Sequence, residues 1–312
     1  METLEFYHDP VLLTECLEYL NISSGGTYAD CTLGGGGHSF AIAQKLSNEG
    51  TLHCFDRDPE AISFASKRLA DLSPKLVFHP VAFGNLGSEI EPALLDGVLY
   101  DLGISSRQVD SSKRGFTFAG NLPLDLRMDT RAPKSAQEWL RETPVEEMAR
   151  AFYTNSDLER SNKLAGRLKT FVEESDSLIL PEDIKHIASV VYPDHRRDMP
   201  SLLARIFQAI RMEVNGELKE IELSLAACAD CLKPGGRLVI ISYHSVEDRC
   251  VKNSMALMER DCICPERLPI CACGGNHRKF KKVLRKPLVP SKQEISKNPR
   301  SRSAKLRVYE RV

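Results

Sequence analysis

The chain has 312 residues, of which 42% are hydrophobic and 27% charged, and its formal net charge is −1. This composition is typical of a soluble globular protein, and the length predicts one large or two modest domains. No apolar run is long enough to span a bilayer and no secretion signal opens the chain, so we expect a cytoplasmic protein without a membrane partner.

The charge is unevenly distributed along the chain. Thirteen Lys/Arg residues but only two acidic residues lie between Arg278 and the C-terminus, which gives this tail +11 and the rest about −12. A basic segment beside an acidic body predicts an anionic partner, with nucleic acid as the first candidate. The alternative is a solvated charged face without a partner.

The first hundred residues alternate short apolar segments with helical patterns. We predict strands over 27–33, 51–58, 75–83 and 96–103, and helices over 39–46 and 59–69. Pro59 occupies the first-turn position that proline favours in a helix. Strands and helices that alternate at this spacing predict a parallel, doubly wound α/β sheet.

The pattern changes after residue 106 and returns near residue 232. Helices are predicted over 143–153, 181–192 and 201–232, the first with Thr143 as N-cap and Glu146 completing a capping box. A fifth strand follows the turn LKPGG, and segments 281–286 and 304–311 predict an antiparallel pair at the sheet edge. We therefore predict an α/β domain of 1–110 and 216–312 with an all-helical insertion of 111–215.

Four consecutive glycines follow the first predicted strand, in TLGGGGHS from Thr32. Glycine tolerates positive φ and lets a ligand lie against the backbone, so a ligand at the carboxyl edge of the sheet is expected. Asp56, some twenty residues later, can accept hydrogen bonds from ribose hydroxyls. A dinucleotide and S-adenosylmethionine (SAM) both suit these features, while a plain flexible turn is the simplest alternative.

Two later features favour SAM. The glycine run lacks the G-x-G-x-x-G spacing typical of dinucleotide sites. Asp101 ends the fourth predicted strand, and the chain closes with an antiparallel pair that an all-parallel dinucleotide fold does not have. This order resembles the Rossmann-like SAM-dependent methyltransferases.

Nine stretches that span the chain from His8 onward match a single family. They are HDPVLLTECL, TLGGGGHS, DRDPEAI, DLGISSRQVD, RGFTF, PLDLRMD, FQAIRMEVNGEL, ISYHSVEDR and NPRSRSAKLRV, of which DLGISSRQVD, PLDLRMD and YHSVEDR are the specific ones. Together they resemble the bacterial RsmH (MraW) family, whose members methylate N4 of a cytidine in 16S ribosomal RNA. The resemblance implies a Rossmann-like SAM methyltransferase sheet with an inserted helical substrate-recognition domain.

The resemblance also implies a cofactor site, a substrate and partners. The substrate would be a cytidine at the decoding centre of the small ribosomal subunit, with 16S rRNA as partner and a homodimer left open. The glycine loop would bind SAM, Asp56 would hold the ribose, Phe83 would flank the adenine, and two further residues would complete the pocket. The full set is Gly36, Gly37, His38, Asp56, Phe83, Asp101 and Gln108.

Candidate catalytic groups lie after the fourth and fifth strands. Asp101 is the candidate catalytic residue, as an acceptor for the protons of the cytosine amino group; the alternative is that it serves SAM alone. Tyr243 can stack on a flipped base or act in packing. Candidate phosphate contacts are Arg114, Arg127, Arg278, Lys279, Lys281, Lys282, Arg300 and Arg302.

Ten cysteines occur, four of them as two C-x-C pairs: Cys262, Cys264, Cys271 and Cys273. Four thiols in twelve residues can form a tetrahedral zinc site, although C-x-C is tighter than the common spacing. The alternative is a reduced, metal-free loop, and no metal ligand is assigned from the sequence.

Two other functions are compatible with parts of the sequence. The sheet motifs by themselves would also suit a methyltransferase acting on DNA or on a protein amine. A non-catalytic ribosome-assembly factor with a vestigial pocket is the third hypothesis, and the intact glycine loop and acidic residues argue against it.

Overall fold

The computed structural model describes residues 10–105, 115–116, 122–175, 177–265 and 270–312, without the side chain of residue 196. The chain forms two compact units, one of Met1–Gly103 with Leu218–Val312 and one of Ile104–Glu217. We call them the sheet unit and the helical unit. The boundaries predicted from the sequence, 110/111 and 215/216, compare with 103/104 and 217/218 for these units. The substrate-recognition role of the insertion stays a prediction.

The first part of the sheet unit contains four strands and four helices. The strands are β1 (Thr27–Asp30), β2 (Thr51–Phe55), β3 (Lys75–His79) and β4 (Leu95–Asp101); the helices are α1 (Leu13–Leu20), α2 (Gly37–Ala43), α3 (Pro59–Leu69) and α4 (Leu86–Glu89). Helix α3 begins as predicted, with Pro59 in its first turn and the Asp58 carboxylate accepting the Glu60 N–H at 3.0 Å. Helix α1 precedes β1, and α2, α3 and α4 then follow β1, β2 and β3 in turn, as the alternation indicated.

The helical unit has its own hydrophobic core. Its α-helices within the described residues are α5 (Ala136–Glu142), α6 (Val145–Ser156), α7 (Ser161–Glu174), α8 (Pro181–Val191) and α9 (Met199–Asn215). Fully buried side chains from all five meet in one cluster, among them Leu140, Phe152, Leu164, Ile184 and Ile206. Burial of such side chains stabilises a fold by about 1.5–3 kcal/mol each, so this unit has a substantial core.

Two helix ends in this region differ from the prediction. Thr143 ends α5, its N–H donating to the carbonyl of Trp139, and so does not cap α6; Pro144 precedes α6 and no side-chain cap is present. The capping box lies one helix earlier, where Ser135 and Glu138 bond reciprocally at the start of α5. The S-x-x-E spacing there was the available signal for that unpredicted helix.

The second part of the sheet unit begins with a helix that the sequence joined to α9. The predicted helical segment 201–232 is divided at Gly216, whose φ of +61° ends α9. The remaining elements are α10 (Glu217–Cys231), β5 (Leu232–Ser242), α11 (Ser245–Met258), β6 (Phe280–Lys282), α12 (Lys292–Lys297) and β7 (Lys305–Arg311).

The seven strands form one sheet in the order β3-β2-β1-β4-β5-β7-β6. The first five are parallel, and β7 is antiparallel to both β5 and β6, so the predicted antiparallel pair at the edge is confirmed. Parallel strands end at the same edge, and the strand order reverses between β1 and β4. In open α/β sheets this carboxyl edge beside the reversal is where ligands bind.

Most residues of β1, β2 and β4 are buried, as expected of parallel strands that helices cover on both faces. Residues of α1, α2 and α3 pack in one cluster and residues of α4, α10 and α11 in another. The sheet unit is therefore a three-layer α/β/α structure, and the predicted α/β fold class is confirmed. None of the helices in the described ranges is long and apolar enough to cross a membrane.

Candidate active site and cofactor pocket

The glycine run forms the turn between β1 and α2. Gly34 and Gly36 adopt positive φ values of +50° and +74°, and the Gly36 N–H donates to the carbonyl of Leu33 at 2.7 Å. A Cβ on Gly36 would lie 3.2 Å from the Cβ of Ala65. Only glycine meets both demands without strain, so the tight turn against α3 requires it.

Polar residues beside the glycines fix this turn from inside. Asp30, 1% exposed, accepts hydrogen bonds from the Ser39 hydroxyl at 2.6 Å and from the Thr32 N–H at 3.1 Å. The Thr32 hydroxyl accepts the N–H of Asp101 at 2.6 Å. The loop is thus joined to α2 and to the end of β4. Sequence reasoning missed the roles of Thr32 and Ser39; hydroxyl residues flanking the glycines were the signal.

Asp56 lies directly after β2 and faces the glycine loop. Its Oδ2 accepts the Gly34 N–H at 2.8 Å and its Oδ1 accepts the Asp58 N–H at 2.9 Å. Burial raises the pKa of Asp56 to about 6. An ionised carboxylate has about four acceptor sites, so two backbone donors leave capacity for a pair of hydroxyl groups. This arrangement fits the ribose of SAM.

Phe83 lies in the short 3-10 turn that follows β3, and its ring is half-buried. It packs edge-on against Tyr100 with 5.7 Å between ring centroids. The turn is held by Glu220 of α10, whose Oε2 accepts the Gly84 N–H at 2.8 Å. The geometry provides an ordered aromatic face beyond the carboxyl end of β3, which is suited to a flat heterocycle.

Asp101 is held between side chains from two other elements. Its Oδ1 accepts the Tyr243 hydroxyl at 2.7 Å, and its Oδ2 lies 3.6 Å from His38 Nδ1. His38 Nε2 lies 3.1 Å from the carbonyl of Val11; a carbonyl only accepts, so this nitrogen carries a proton. Burial raises the pKa of Asp101, while His38 and the Tyr243 hydrogen bond oppose that shift. The Asp101 side chain is still 27% exposed, so a ligand can reach it.

Tyr243 is positioned by the start of α11. The backbone N–H groups of Tyr243 and His244 donate to Glu247 Oε2 at 2.9 and 3.0 Å, and Glu247 is 1% exposed. Glu247 therefore caps the start of α11. The turn fixes the Tyr243 backbone, and the hydroxyl in turn orients the carboxylate of Asp101.

The structure brings most of the sequence-predicted site residues to one edge of the sheet. The loop of Gly36 and Gly37 with His38, the carboxylates of Asp56 and Asp101, and the ring of Phe83 all follow the carboxyl ends of β1 to β4. Gln108 lies outside the described residues.

Several candidate phosphate contacts are engaged in ion pairs. Arg114 lies outside the described residues, and Arg300 and Arg302 are exposed in the 3-10 turn Pro299–Ser303. The observed pairs are Arg127–Asp125 at 2.6 Å, Lys279–Asp230 at 3.7 Å, Lys281–Glu310 at 2.6 Å and Lys282–Glu259 at 2.7 Å. Arg127 and Asp125 are half-buried residues of the helical unit. The other three pairs involve lysines of the basic tail, and partly exposed pairs of this kind contribute little, so they lower the effective charge of the tail without abolishing it.

The sheet order, the glycine turn after β1 and the acidic residues after β2 and β4 define a Rossmann-like SAM-dependent methyltransferase. Proteins of this class are enzymes, and their cofactor is SAM. The residues present fit that group, because the carboxylate of Asp56 retains acceptor capacity where ribose hydroxyls would donate.

Comparisons with known proteins place the chain more narrowly. The model of the MraW methylase family matches residues 5–312. A protein from Clostridioides difficile named ribosomal RNA small subunit methyltransferase H is 41% identical over 316 residues, covering 99% of this chain and 100% of that protein. A protein of the same name from Carboxydothermus hydrogenoformans is 41% identical, covering 99% of this chain and 99% of that protein. Another from Brevibacillus brevis is 38% identical, covering 100% of both chains. The chain belongs to the MraW methylase family.

Proposed function

We propose that this protein transfers the methyl group of SAM to N4 of a cytidine in 16S rRNA, at the decoding centre of the small ribosomal subunit. The observation that carries this proposal is the end-to-end similarity to proteins named ribosomal RNA small subunit methyltransferase H. A ribosomal substrate also implies a cytoplasmic location.

The glycine loop and its neighbours would hold the cofactor. Bound SAM supplies a methyl group on a sulfonium, which is already strongly electrophilic. Gly36, Gly37 and His38 present the backbone of the β1–α2 turn, Asp56 accepts from the ribose hydroxyls, and Phe83 flanks the adenine. The two glycines also let this turn pack tightly, because a Cβ on Gly36 would lie 3.2 Å from Ala65 and one on Gly37 would lie 2.6 Å from Pro10. Gln108 is assigned to the same pocket by the resemblance alone.

The acceptor nitrogen sets the chemical problem. The lone pair of the cytosine N4 is delocalised into the ring, so the amino group is a poor nucleophile. Asp101 is the group placed to accept a hydrogen bond from that amino group, localise its lone pair and remove a proton. Tyr243 is a positioning residue, because its hydroxyl holds Oδ1 of this carboxylate at 2.7 Å. In-line placement of the reacting atoms supplies much of the remaining rate.

The helical unit is assigned to substrate recognition. It carries a hydrophobic core of its own and brings more than a hundred residues to a protein whose target atom is a single amino nitrogen. A large, shaped substrate such as an assembled subunit accounts for a unit of this size better than an isolated nucleotide.

The exposed Arg300 and Arg302, in the sheet unit, are suited to phosphate contacts.

The test uses tritiated SAM and small subunits from a strain that lacks the enzyme. We expect label in 16S rRNA, and nucleoside mass spectrometry should identify it as N4-methylcytidine. Asp101→Asn should lose at least about 100-fold in rate while it still binds SAM by calorimetry; Asp71→Asn, an exposed carboxylate after α3, is the control. Label on DNA or protein, or no label at all, would contradict the proposal. SAM binding without any transfer would favour an assembly factor.

A further inference from the structure

The four-cysteine motif lies in the connection between α11 and β6. We call residues 259–279 the cysteine loop. Its two ends are joined, because the N–H of Lys279 donates to the carbonyl of Met258 at 2.8 Å and Arg278 Nε donates to the carbonyl of Glu259 at 3.1 Å. The two ends of the loop therefore lie side by side, at the end of α11 and the start of β6.

The cysteine loop has little apolar burial to stabilise it. Within its described residues, 259–265 and 270–279, none is buried. Its two isoleucines, Ile263 and Ile270, are 63% and 79% exposed. Ordering about twenty residues without a core costs more conformational entropy than a few hydrogen bonds return, so a cross-link is required to hold one conformation.

The cysteine side chains converge at one point. Sγ of Cys262 lies 3.5 Å from Sγ of Cys271 and 3.6 Å from Sγ of Cys273, and the latter two are 3.6 Å apart. The ligand atoms of these three and Cys264 all lie within 4.8 Å of one another. A tetrahedral ZnS₄ centre with Zn–S bonds of 2.3 Å has S···S edges of about 3.8 Å. A disulfide would bring one pair to about 2.05 Å, and no recorded separation among these sulfurs is that short.

Backbone geometry around the cluster also suits bound thiolates. Sγ of Cys264 accepts the N–H groups of Ala272 and Cys273 at 3.2 and 3.3 Å. Such N–H···S hydrogen bonds disperse the negative charge of a thiolate and orient it toward a metal. Gly274 and Gly275 follow with φ values of +78° and +72°, which turn the chain sharply after the last cysteine.

We propose that Cys262, Cys264, Cys271 and Cys273 bind one structural Zn²⁺ as four thiolates. Binding releases the four thiol protons to solvent, and the ion links the two C-x-C pairs across the loop. Four protein ligands leave no open coordination position, so the site stabilises the loop and takes no part in methyl transfer. Of the two alternatives that the sequence left open, the zinc site is the one that the converging sulfurs favour.

The test is metal analysis of the full-length protein purified without chelators. Inductively coupled plasma mass spectrometry should find about one zinc per chain. Cys262→Ser and Cys273→Ser should each lower that content at least about fivefold. Cys250→Ser removes a half-buried thiol of α11 that lies outside the cluster, so it should retain zinc. Reconstitution with Co²⁺ should give the intense visible bands of tetrahedral thiolate coordination in wild type and in Cys250→Ser, and these bands should be lost in Cys262→Ser and Cys273→Ser.

Two further measurements separate loss of the ion from loss of the fold. Cys264→His replaces one thiolate with a nitrogen ligand and should retain zinc. SAM binding, measured by calorimetry, should persist in every variant because the sheet unit remains folded. Wild-type protein without zinc after growth and reconstitution in zinc would overturn the proposal. Non-reducing peptide mapping that finds a disulfide within the cluster of the purified protein would also overturn it.

Discussion

The hydroxyl of Tyr243 donates a 2.7 Å hydrogen bond to Oδ1 of Asp101, although the two residues are 142 positions apart in the chain. Strands β4 and β5 pair in parallel with Asp101 opposite Ile241, so the residue just beyond β5 reaches the carboxylate at the end of β4. The bond favours the ionised carboxylate and opposes the pKa increase that burial causes. Tyr243 therefore controls the protonation of the group that we assign as proton acceptor.

Tyr243→Phe should move the acid limb of the methylation pH profile upward. Without the hydroxyl, burial of Asp101 is less opposed, so its pKa rises and a higher pH is needed to ionise it. The Tyr243 hydrogen bond is one of the interactions that lower the pKa of Asp101, so its loss should move the limb to higher pH. The measurement is kcat/KM for subunit methylation against pH.

The matched control for that experiment is Tyr28→Phe. The Tyr28 hydroxyl also takes part in hydrogen bonds, but with the backbone before β1: it accepts the N–H of Ser23 and donates to the carbonyl of Asn21. Its loss should leave the acid limb in place. If Tyr243→Phe lowered stability as the control does but left the acid limb of the pH profile in place, the Tyr243 hydroxyl would not control the protonation of Asp101, and its role would be packing alone.

SAM affinity should increase as pH rises through about 6. The pKa of Asp56 is raised to about 6 by burial, so the carboxyl is largely protonated at pH 5 and ionised at pH 7. Only the ionised form offers its full acceptor capacity to the ribose hydroxyls, and we expect affinity to improve by up to about tenfold over this range. Calorimetric titration with SAM at several pH values measures it.

Asp56→Asn should bind SAM more weakly at pH 7 and lose this pH dependence, because the amide does not titrate. Asp71→Asn, which changes an exposed carboxylate, should behave as wild type. The assignment of Asp56 to the ribose would be wrong if the asparagine variant kept full affinity at pH 7.

Gly36→Ala should destabilise the sheet unit and weaken SAM binding. The φ of +74° costs an alanine about 1–2 kcal/mol, and the added Cβ would press on Ala65 at 3.2 Å. Gly166→Ala in α7 is the control, since its Cβ meets nothing within 4 Å and helix propensity should stabilise it by about 0.5–1 kcal/mol. Scanning calorimetry compares the two, and equal melting temperatures would contradict the strain at Gly36.

Glu217→Gln should destabilise the helical unit by about 3 kcal/mol. The guanidinium of Arg211 bonds Glu217 at 2.7 and 2.9 Å, and both side chains are less than a tenth exposed, so neutralising the carboxylate leaves a buried positive charge poorly compensated. The chain has a single tryptophan, Trp139 in α5, whose fluorescence during urea unfolding reports on this unit.

The control for the buried pair is Glu182→Gln, which removes an exposed ion pair with Lys185 in the same unit. Its effect should stay within about 0.5 kcal/mol. If the urea midpoint of Glu217→Gln were as close to that of wild type as the midpoint of Glu182→Gln, the buried ion pair would contribute little to stability.

Features that depend on neighbouring residues could be predicted from the sequence. The apolar runs of the central strands, Pro59 at the start of α3 and the glycine run before α2 each indicate local structure through spacing and side-chain chemistry. Strands alternating with helices then determine the parallel sheet, and the carboxyl edge follows with Asp56 and Asp101 on it. The cap of α6 was wrong because Thr143 serves the preceding helix, which the local pattern did not reveal.

Only the tertiary structure decided which distant groups meet. The register of β4 and β5 brings Tyr243 to Asp101, and the turn after β1 brings Ser39 to Asp30; neither contact is encoded in residue spacing. The cysteine motif left both zinc and a metal-free loop open, and only the structure shows that the four sulfurs converge. By itself, then, the sequence determined the class of protein and the residues available to it. Distances of a few ångströms between residues far apart in the chain decided their chemistry, because protonation and metal coordination depend on separation in space.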